Sequence, residues 1–169
     1  MAERPIVIYG DPVLRKVCDP VDEINQEIKD LVSDLTDALK KARGLGLSAP
    51  QIGVLKRVFI VDLTTIDITA SLKIFINPEI VEVSEEEAEY EEGCLSFPGL
   101  YQKIFRPAKV KVRATDLEGN QFEMEAEGMS ARAIQHEYDH LEGTLFIDRM
   151  SSLARTMAKG RLRKLKEVS

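Results

Sequence analysis

Apolar side chains recur at steps of three and four through residues 24–39, at Ile24, Ile28, Leu31, Leu35 and Leu39. That spacing puts them on one face of an amphipathic helix of about five turns. Asp22 offers an N-cap oxygen and Gly44 a stop. Residues 5–20 hold three prolines and read as an extended arm with turns. After the helix, "GLGLSAPQIG" (44–53) predicts a glycine-rich loop. The pattern then turns β-rich in "RVFIVDL" (57–63), "KIFINP" (73–78) and "EIVEVS" (79–84). The acid run "EEEAEYEEG" (85–93) reads as a solvated face or edge strand before a binding surface. "AKVKVRATD" and "QFEMEAEG" alternate in polarity around "LEGN", which predicts an antiparallel hairpin. Met129 to Glu142 predicts a helix stopped by Gly143, and "TLFID" (144–148) a short strand. Beyond Ser151 a basic helix carries Leu153, Met157, Leu162 and Leu165 on one side. Helix, mostly antiparallel strands, then helices give an α+β fold. With no repeat or linker in 169 residues, a single domain spanning 1–169 is expected.

Composition narrows the class. The chain is 44% hydrophobic and 31% charged, without tryptophan. No run of eighteen apolar residues is present, so no membrane span is expected. The first residues, "MAERPIVIYG", lack the basic-then-apolar layout of a secretory signal, which points to a cytoplasmic protein. Two cysteines, Cys18 and Cys94, make no disulfide framework. In a reducing compartment a functional cysteine serves as ligand or nucleophile; Cys18, in the arm, reads as structural. The net charge of −6 is uneven, because residues 152–169 hold six basic side chains and one acid. An acidic body argues against general nucleic-acid binding, whereas the basic end can meet a polyanion.

Candidate chemistry sits in "QHEYDHLEG" (135–143), which holds the chain's two histidines. His136 and His140 are four apart, so on a helix they share a face and can grip one divalent cation. Glu137 is rotated by about 100° from His136, placed to reach a water at the site and move its proton. The flanking Ala133, Ile134 and Leu141 are apolar, which argues for a buried helix rather than a chance surface motif. A catalytic zinc-type site needs a third protein ligand. Cys94, in "EGCLSFPG" (92–99), is the better candidate than Glu142 or Glu167 downstream. On local spacing alone it reads equally as a ligand or as a small buried apolar residue.

Three stretches taken together, "GLGLSAPQIG", "EGCLSFPG" and "QHEYDHLEG", resemble in order and spacing the signature motifs of the peptide deformylases. "DPVLRKVCDPV" and "RPAKVKVRATDLEGN" extend the resemblance over most of residues 5–150. It implies a metal-dependent hydrolase that removes the formyl group from the N-terminal methionine of nascent polypeptides. It implies Cys94, His136 and His140 as metal ligands and Glu137 as general base and acid. Gln51 and the backbone N–H of Leu95 would donate to the oxyanion. The implied fold is α+β, its strands packed around a central helix bearing the histidines. The implied metal is Fe²⁺, with Zn²⁺, Ni²⁺ or Co²⁺ able to substitute. Two positions depart from the family pattern: Ser48 stands where alanine is more frequent, and Tyr101 where some members have arginine.

Further expectations concern the substrate. Backbone at Gly44 and Gly46 is open to pairing with an extended formylmethionyl peptide as an added strand. Leu45, Met129 and Ala133 are candidates for its methionine pocket; ordinary core packing accounts equally well for Met129 and Ala133. Asp139 and Glu92 are placed to orient the histidines or pair with Arg106, or else to lie on the surface. The basic C-terminal helix either packs one face on the body or docks on ribosomal RNA near the emerging chain. A zinc endopeptidase and a non-catalytic metal-binding module are the rival readings of the same motif.

Overall fold

A computed structural model describes residues 4–64, 69 and 71–168. The first helix, α1, spans Gln26–Ala42 and buries Ile28, Leu31, Val32, Leu35 and Leu39 on one face, as the periodicity requires. Its N-cap is Asn25 rather than Asp22: the Asn25 side chain accepts from the Ile28 N–H at 3.2 Å. Arg43, not Gly44, ends the helix, with a left-handed φ of 56° and its N–H returned to Leu39 and Lys40 carbonyls. Gly44 is small for another reason: a Cβ there would lie 2.8 Å from the Leu95 side chain.

The segment expected as a loop at 44–53 is ordered. It forms strand β1 (Gly46–Ser48) and a 3₁₀ turn, Ala49–Ile52. Strand β2 is Val58–Asp62 and β3 is Leu72–Val83. β3 unites the two stretches expected at 73–78 and 79–84. Asn77, at φ 51°, bends it without ending it, and the pairing register shifts between Ile76 and Glu79. The Asn77 amide makes this possible by bonding both the N–H and the carbonyl of Val21, at 2.7 and 2.8 Å. The acid run lies in strand β4 (Glu87–Cys94), which pairs with β5 (Phe97–Pro107). β6 (Lys109–Thr115) and β7 (Gln121–Glu127) form the expected hairpin. The strands make a five-stranded antiparallel sheet, β1-β2-β3-β6-β7, and a separate β4–β5 ribbon.

Helix α2, Gly128–Leu141, carries both histidines and contacts β1, β2, β6 and β7. No strand forms at 144–148. Leu145, Phe146 and Ile147 are all buried, which imitates a core strand, but Phe146–Arg149 is a 3₁₀ turn closed by Leu145 N–H to Asp148 at 2.9 Å. Helix α3, Ser152–Val168, packs through Ala154, Ala158, Leu162 and Leu165. Leu153 and Met157 were expected on that face but are 71% and 78% exposed. They sit one residue, about 100°, off the alanine row that faces the body.

The N-terminal arm threads between the two pieces that build the site. Val7 N–H donates to the Gln51 carbonyl at 2.7 Å and Tyr9 N–H to the Ser96 carbonyl at 2.8 Å. One apolar cluster lies between α1 and the sheet, a second under α2, and a third joins β5, the 3₁₀ turn and α3.

Candidate metal centre and cleft

Cys94 ends β4 where the ribbon's register shifts, and Leu95 and Ser96 make the turn into β5. That turn carries the thiol to the face of α2 where His136 and His140 lie one turn apart, their rings edge to face. The Cys94 sulfur lies 3.4 Å from His140 Nε2, and the three donor atoms fall within 4.8 Å of one another. Around one cation, bonds of about 2.3 Å to sulfur and 2.0–2.1 Å to nitrogen give a tetrahedral edge of about 3.5 Å. The observed separation therefore fits a shared cation.

The surroundings orient these donor atoms. His136 Nδ1 donates to Glu92 Oε1 at 3.0 Å, which fixes the tautomer and leaves Nε2 free. Burial opposes charge on His136, yet the neighbouring Cys94 sulfur and Glu92 carboxylate hold its pKa well above the ordinary value. His140 is held neutral, well below its ordinary pKa, by burial and by the charges of His136 and Arg106. Its Nδ1 is buried with no hydrogen-bond partner among the described residues. One half-buried sulfur and two buried imidazoles suit a divalent iron or zinc-like cation. Cys18 is not one of these three donors; its N–H donates to the Leu141 carbonyl at 2.9 Å, it is buried under α2, and burial pushes its thiol up to about 11.

Beneath the histidines lies a charged lattice. Glu92 is ionised well below the usual carboxylate range: burial works against this, and bonds from His136 and Arg106 outweigh it. Arg106 spans Glu92, at 2.6 and 3.0 Å, and Asp139, at 2.7 Å. Asp139 also accepts from Arg149 at 2.9 and 3.0 Å. Glu92 and Asp139 are thus buried ion-pair partners of Arg106 and not surface groups. Arg132, Arg149 and Ser96 belong to the site's frame and went unread in the sequence. For Arg132 a signal existed: it lies four residues before His136, on the same helix face as both histidines.

Gln51 is buried and held by both ends. Its Oε1 accepts from Ser48 N–H and Ser48 Oγ, each at 3.0 Å. Its Nε2 donates to Ser96 Oγ at 3.1 Å and lies 3.5 Å from the Cys94 sulfur. Serine at 48 thus adds a hydrogen bond that orients this amide. Glu137 is buried beside His136, and burial raises its pKa to about 7, the attraction of His136 only partly opposing it. Glu137 Oε1 has no partner among the described residues. A Cβ on Gly46 would stand 2.9 Å from Glu137 Oε2, so glycine makes room for this carboxylate.

A cleft of about 430 Å³ opens over these groups, lined by Gly44, Leu45, Gly46, Leu95, Met129 and Ala133 together with Gln51, Cys94, His136 and Glu137. All of the residues expected to bind substrate therefore reach it. The Tyr101 ring covers Gly93 at its rim and is 62% exposed.

The polypeptide deformylase family model matches residues 3–156. This chain belongs to the peptide deformylase family. It is 51% identical over 148 residues to peptide deformylase 1 of Clostridium perfringens, covering 88% of this chain and 98% of that protein. It is 46% identical to the peptide deformylase of Acidobacterium capsulatum, over 99% of this chain and 98% of that one. The crystal structure of a peptide deformylase from Legionella pneumophila superposes with a TM-score of 0.90 at 42% identity, covering 99% of this chain and 97% of that one. As a deformylase the chain is a metal-dependent hydrolase that removes the N-terminal formyl group from nascent polypeptides. Among the described residues no helix is long and apolar enough to cross a membrane.

Proposed function

We propose that Cys94, His136 and His140 hold one divalent cation, and that Glu137, Gln51 and Leu95 deformylate N-formylmethionyl peptides beside it. The carrying observation is the 3.4 Å approach of the Cys94 sulfur to His140 Nε2, with the Gln51 amide and Glu137 on the same cleft. The bound cation supplies Lewis acidity, lowering the pKa of water from about 15.7 to near 7 and polarising the formyl oxygen. Glu137 takes the proton of the attacking water, and a carboxyl with a pKa near 7 suits both gain and loss of it. Gln51 Nε2, aimed by Ser48, and the Leu95 N–H donate to the charge growing on the formyl oxygen. One such donor is typically worth about 3 kcal/mol of barrier. The C–N bond then breaks, Glu137 returns the proton to the amine, and formate leaves.

β1 is the outermost strand of its sheet, so backbone at 44–46 can take an added peptide strand. Leu45, Met129 and Ala133 receive the methionine side chain. The confined space excludes acetyl groups by a clash that formyl hydrogen avoids. One sulfur and two imidazoles suit iron and zinc alike; the family resemblance is what points to Fe²⁺ as the native metal, with Zn²⁺, Ni²⁺ or Co²⁺ able to substitute. The chain acts as one catalytic domain centred on α2, in the cytoplasm. Its basic α3, with Arg155, Lys159, Arg163 and Lys166 along one groove, docks on ribosomal RNA.

Glu137→Gln is the test. It keeps the ligands, so metal content stays at the wild-type level while formate release falls by about 10³-fold. Undiminished release, or cleavage of unformylated peptides by the wild type in place of formate release, contradicts the proposal.

A further inference from the structure

The donors of the metal centre come from two bodies that share no backbone ladder. Cys94 rides on the β4–β5 ribbon, whose strands pair with each other and not with the five-stranded sheet. His136 and His140 ride on α2. A cation tolerates errors of only about 0.2 Å in its bond lengths. Ribbon and helix must therefore be fixed to each other.

Arg106 with Asp139, His136 with Glu92, and the Gln135 amide on the Pro107 carbonyl cross that boundary, and Arg132 adds the link that reaches both strands at once. It lies one turn before His136 on α2 and is 4% exposed. Its Nη2 donates to the Ala88 carbonyl of β4 at 2.6 Å. Its Nη1 donates to the Ile104 carbonyl of β5 at 3.0 Å and to Glu92 Oε2 of β4 at 2.8 Å. The guanidinium lies 5.0 Å from the centre of the Tyr90 ring, again on β4. A single side chain of the histidine helix thus binds both strands of the cysteine ribbon. Glu92 then passes the constraint to a ligand, because its other oxygen holds His136 Nδ1. Burying a guanidinium is costly against an apolar side chain of similar volume, and the planar fork is what an apolar side chain lacks.

We propose that Arg132 is a positioning residue that sets where the Cys94 sulfur stands relative to the two imidazoles, and so governs how tightly the site retains its metal. This rests on the metal site proposed above. Arg132 also lines the cleft, so the sulfur's position is separated from contact with substrate by measuring KM beside kcat.

The test uses full-length protein loaded with Co²⁺, whose sulfur-to-cobalt absorption band reports the thiolate directly. Arg132→Met should release cobalt to a chelator about tenfold faster than wild type. Its band should shift or weaken, and kcat should fall at saturating metal while KM for a formylmethionyl peptide stays within about twofold. Arg132→Lys should fall between the two, since one ammonium cannot serve two carbonyls and a carboxylate in the same geometry. A wild-type band and release rate in Arg132→Met, even with a lowered Tm, would mean that the arginine is only structural. If Arg132→Met does not fold, Arg132→Lys decides, and wild-type release from it overturns the inference. A wild type that binds no cobalt sinks the metal site itself, whereas a wild type that binds it beside insensitive variants sinks only the role of Arg132.

Discussion

Gly46→Ala places one methyl against Glu137, the proposed proton carrier. The Cβ would lie 2.9 Å from Glu137 Oε2, 3.0 Å from its Cγ and 3.2 Å from its Cδ. Ordinary carbon contacts begin at about 3.5 Å, so the Glu137 side chain must retreat by about 0.5 Å. Glu137 is only 4% exposed, so the retreat is a displacement within a packed site rather than a swing into water. Misplacing a reacting group by 1 Å can cost about 10²-fold, which puts the expected loss in kcat at about tenfold or more, or at least about 1.4 kcal/mol. Gly46 lies in a β-strand, outside the positive-φ glycines, so alanine adds no backbone strain. Restricting the unfolded chain would even add about 0.4–1 kcal/mol of stability. Formate release measured beside metal content and Tm separates these effects. Full activity, or a loss that follows metal or Tm, would refute the steric argument.

Asp148 gives a pH prediction. Burial raises its pKa, but bonds from Arg15, the Leu145 N–H and Arg155 outweigh burial and leave it below the ordinary value. Its stabilisation is therefore complete above the unfolded pKa of about 3.9 and lost as pH falls through the lower folded value. Asp148→Asn should lower Tm by about 2–4 °C at pH 7, for about 1 kcal/mol after screening of its half-exposed partners. That gap should begin to narrow as pH falls below about 3.9 and go on narrowing as pH drops towards the lower folded value; a gap that does not change with pH would contradict the linkage. Deleting residues 152–169 should weaken salt-sensitive ribosome binding and spare turnover of short peptides, and unchanged binding would end the docking proposal.

The parts of the molecule legible in the sequence are those where one residue type has one physical use. The α1 stripe from Ile28 to Leu39, the hairpin at 109–127 and the His136–His140 pair follow from period alone. What escaped depends on partners distant in sequence. Asn77 keeps β3 continuous only because Val21 meets its amide. β5 hides its inward face behind Pro98, Gly99 and a buried Arg106, whose carboxylates come from β4 and α2. Leu145–Ile147 are buried by α3 and β5 rather than by strand pairing. Leu153 and Met157 look like core until the row Ala154, Ala158, Leu162 proves to be the closer-packing face. The status of Cys94 depended on a fold-back that local spacing does not encode, and the resemblance supplied it.

X-ray absorption at the metal edge of anaerobically purified protein tests the proposed centre most directly. The account predicts one sulfur at about 2.3 Å with nitrogen or oxygen donors at about 2.0–2.1 Å for a zinc-like cation. The sulfur signal should vanish in Cys94→Ser and persist in Cys18→Ser. A first shell without sulfur, or a sulfur signal that survives in Cys94→Ser, would contradict it.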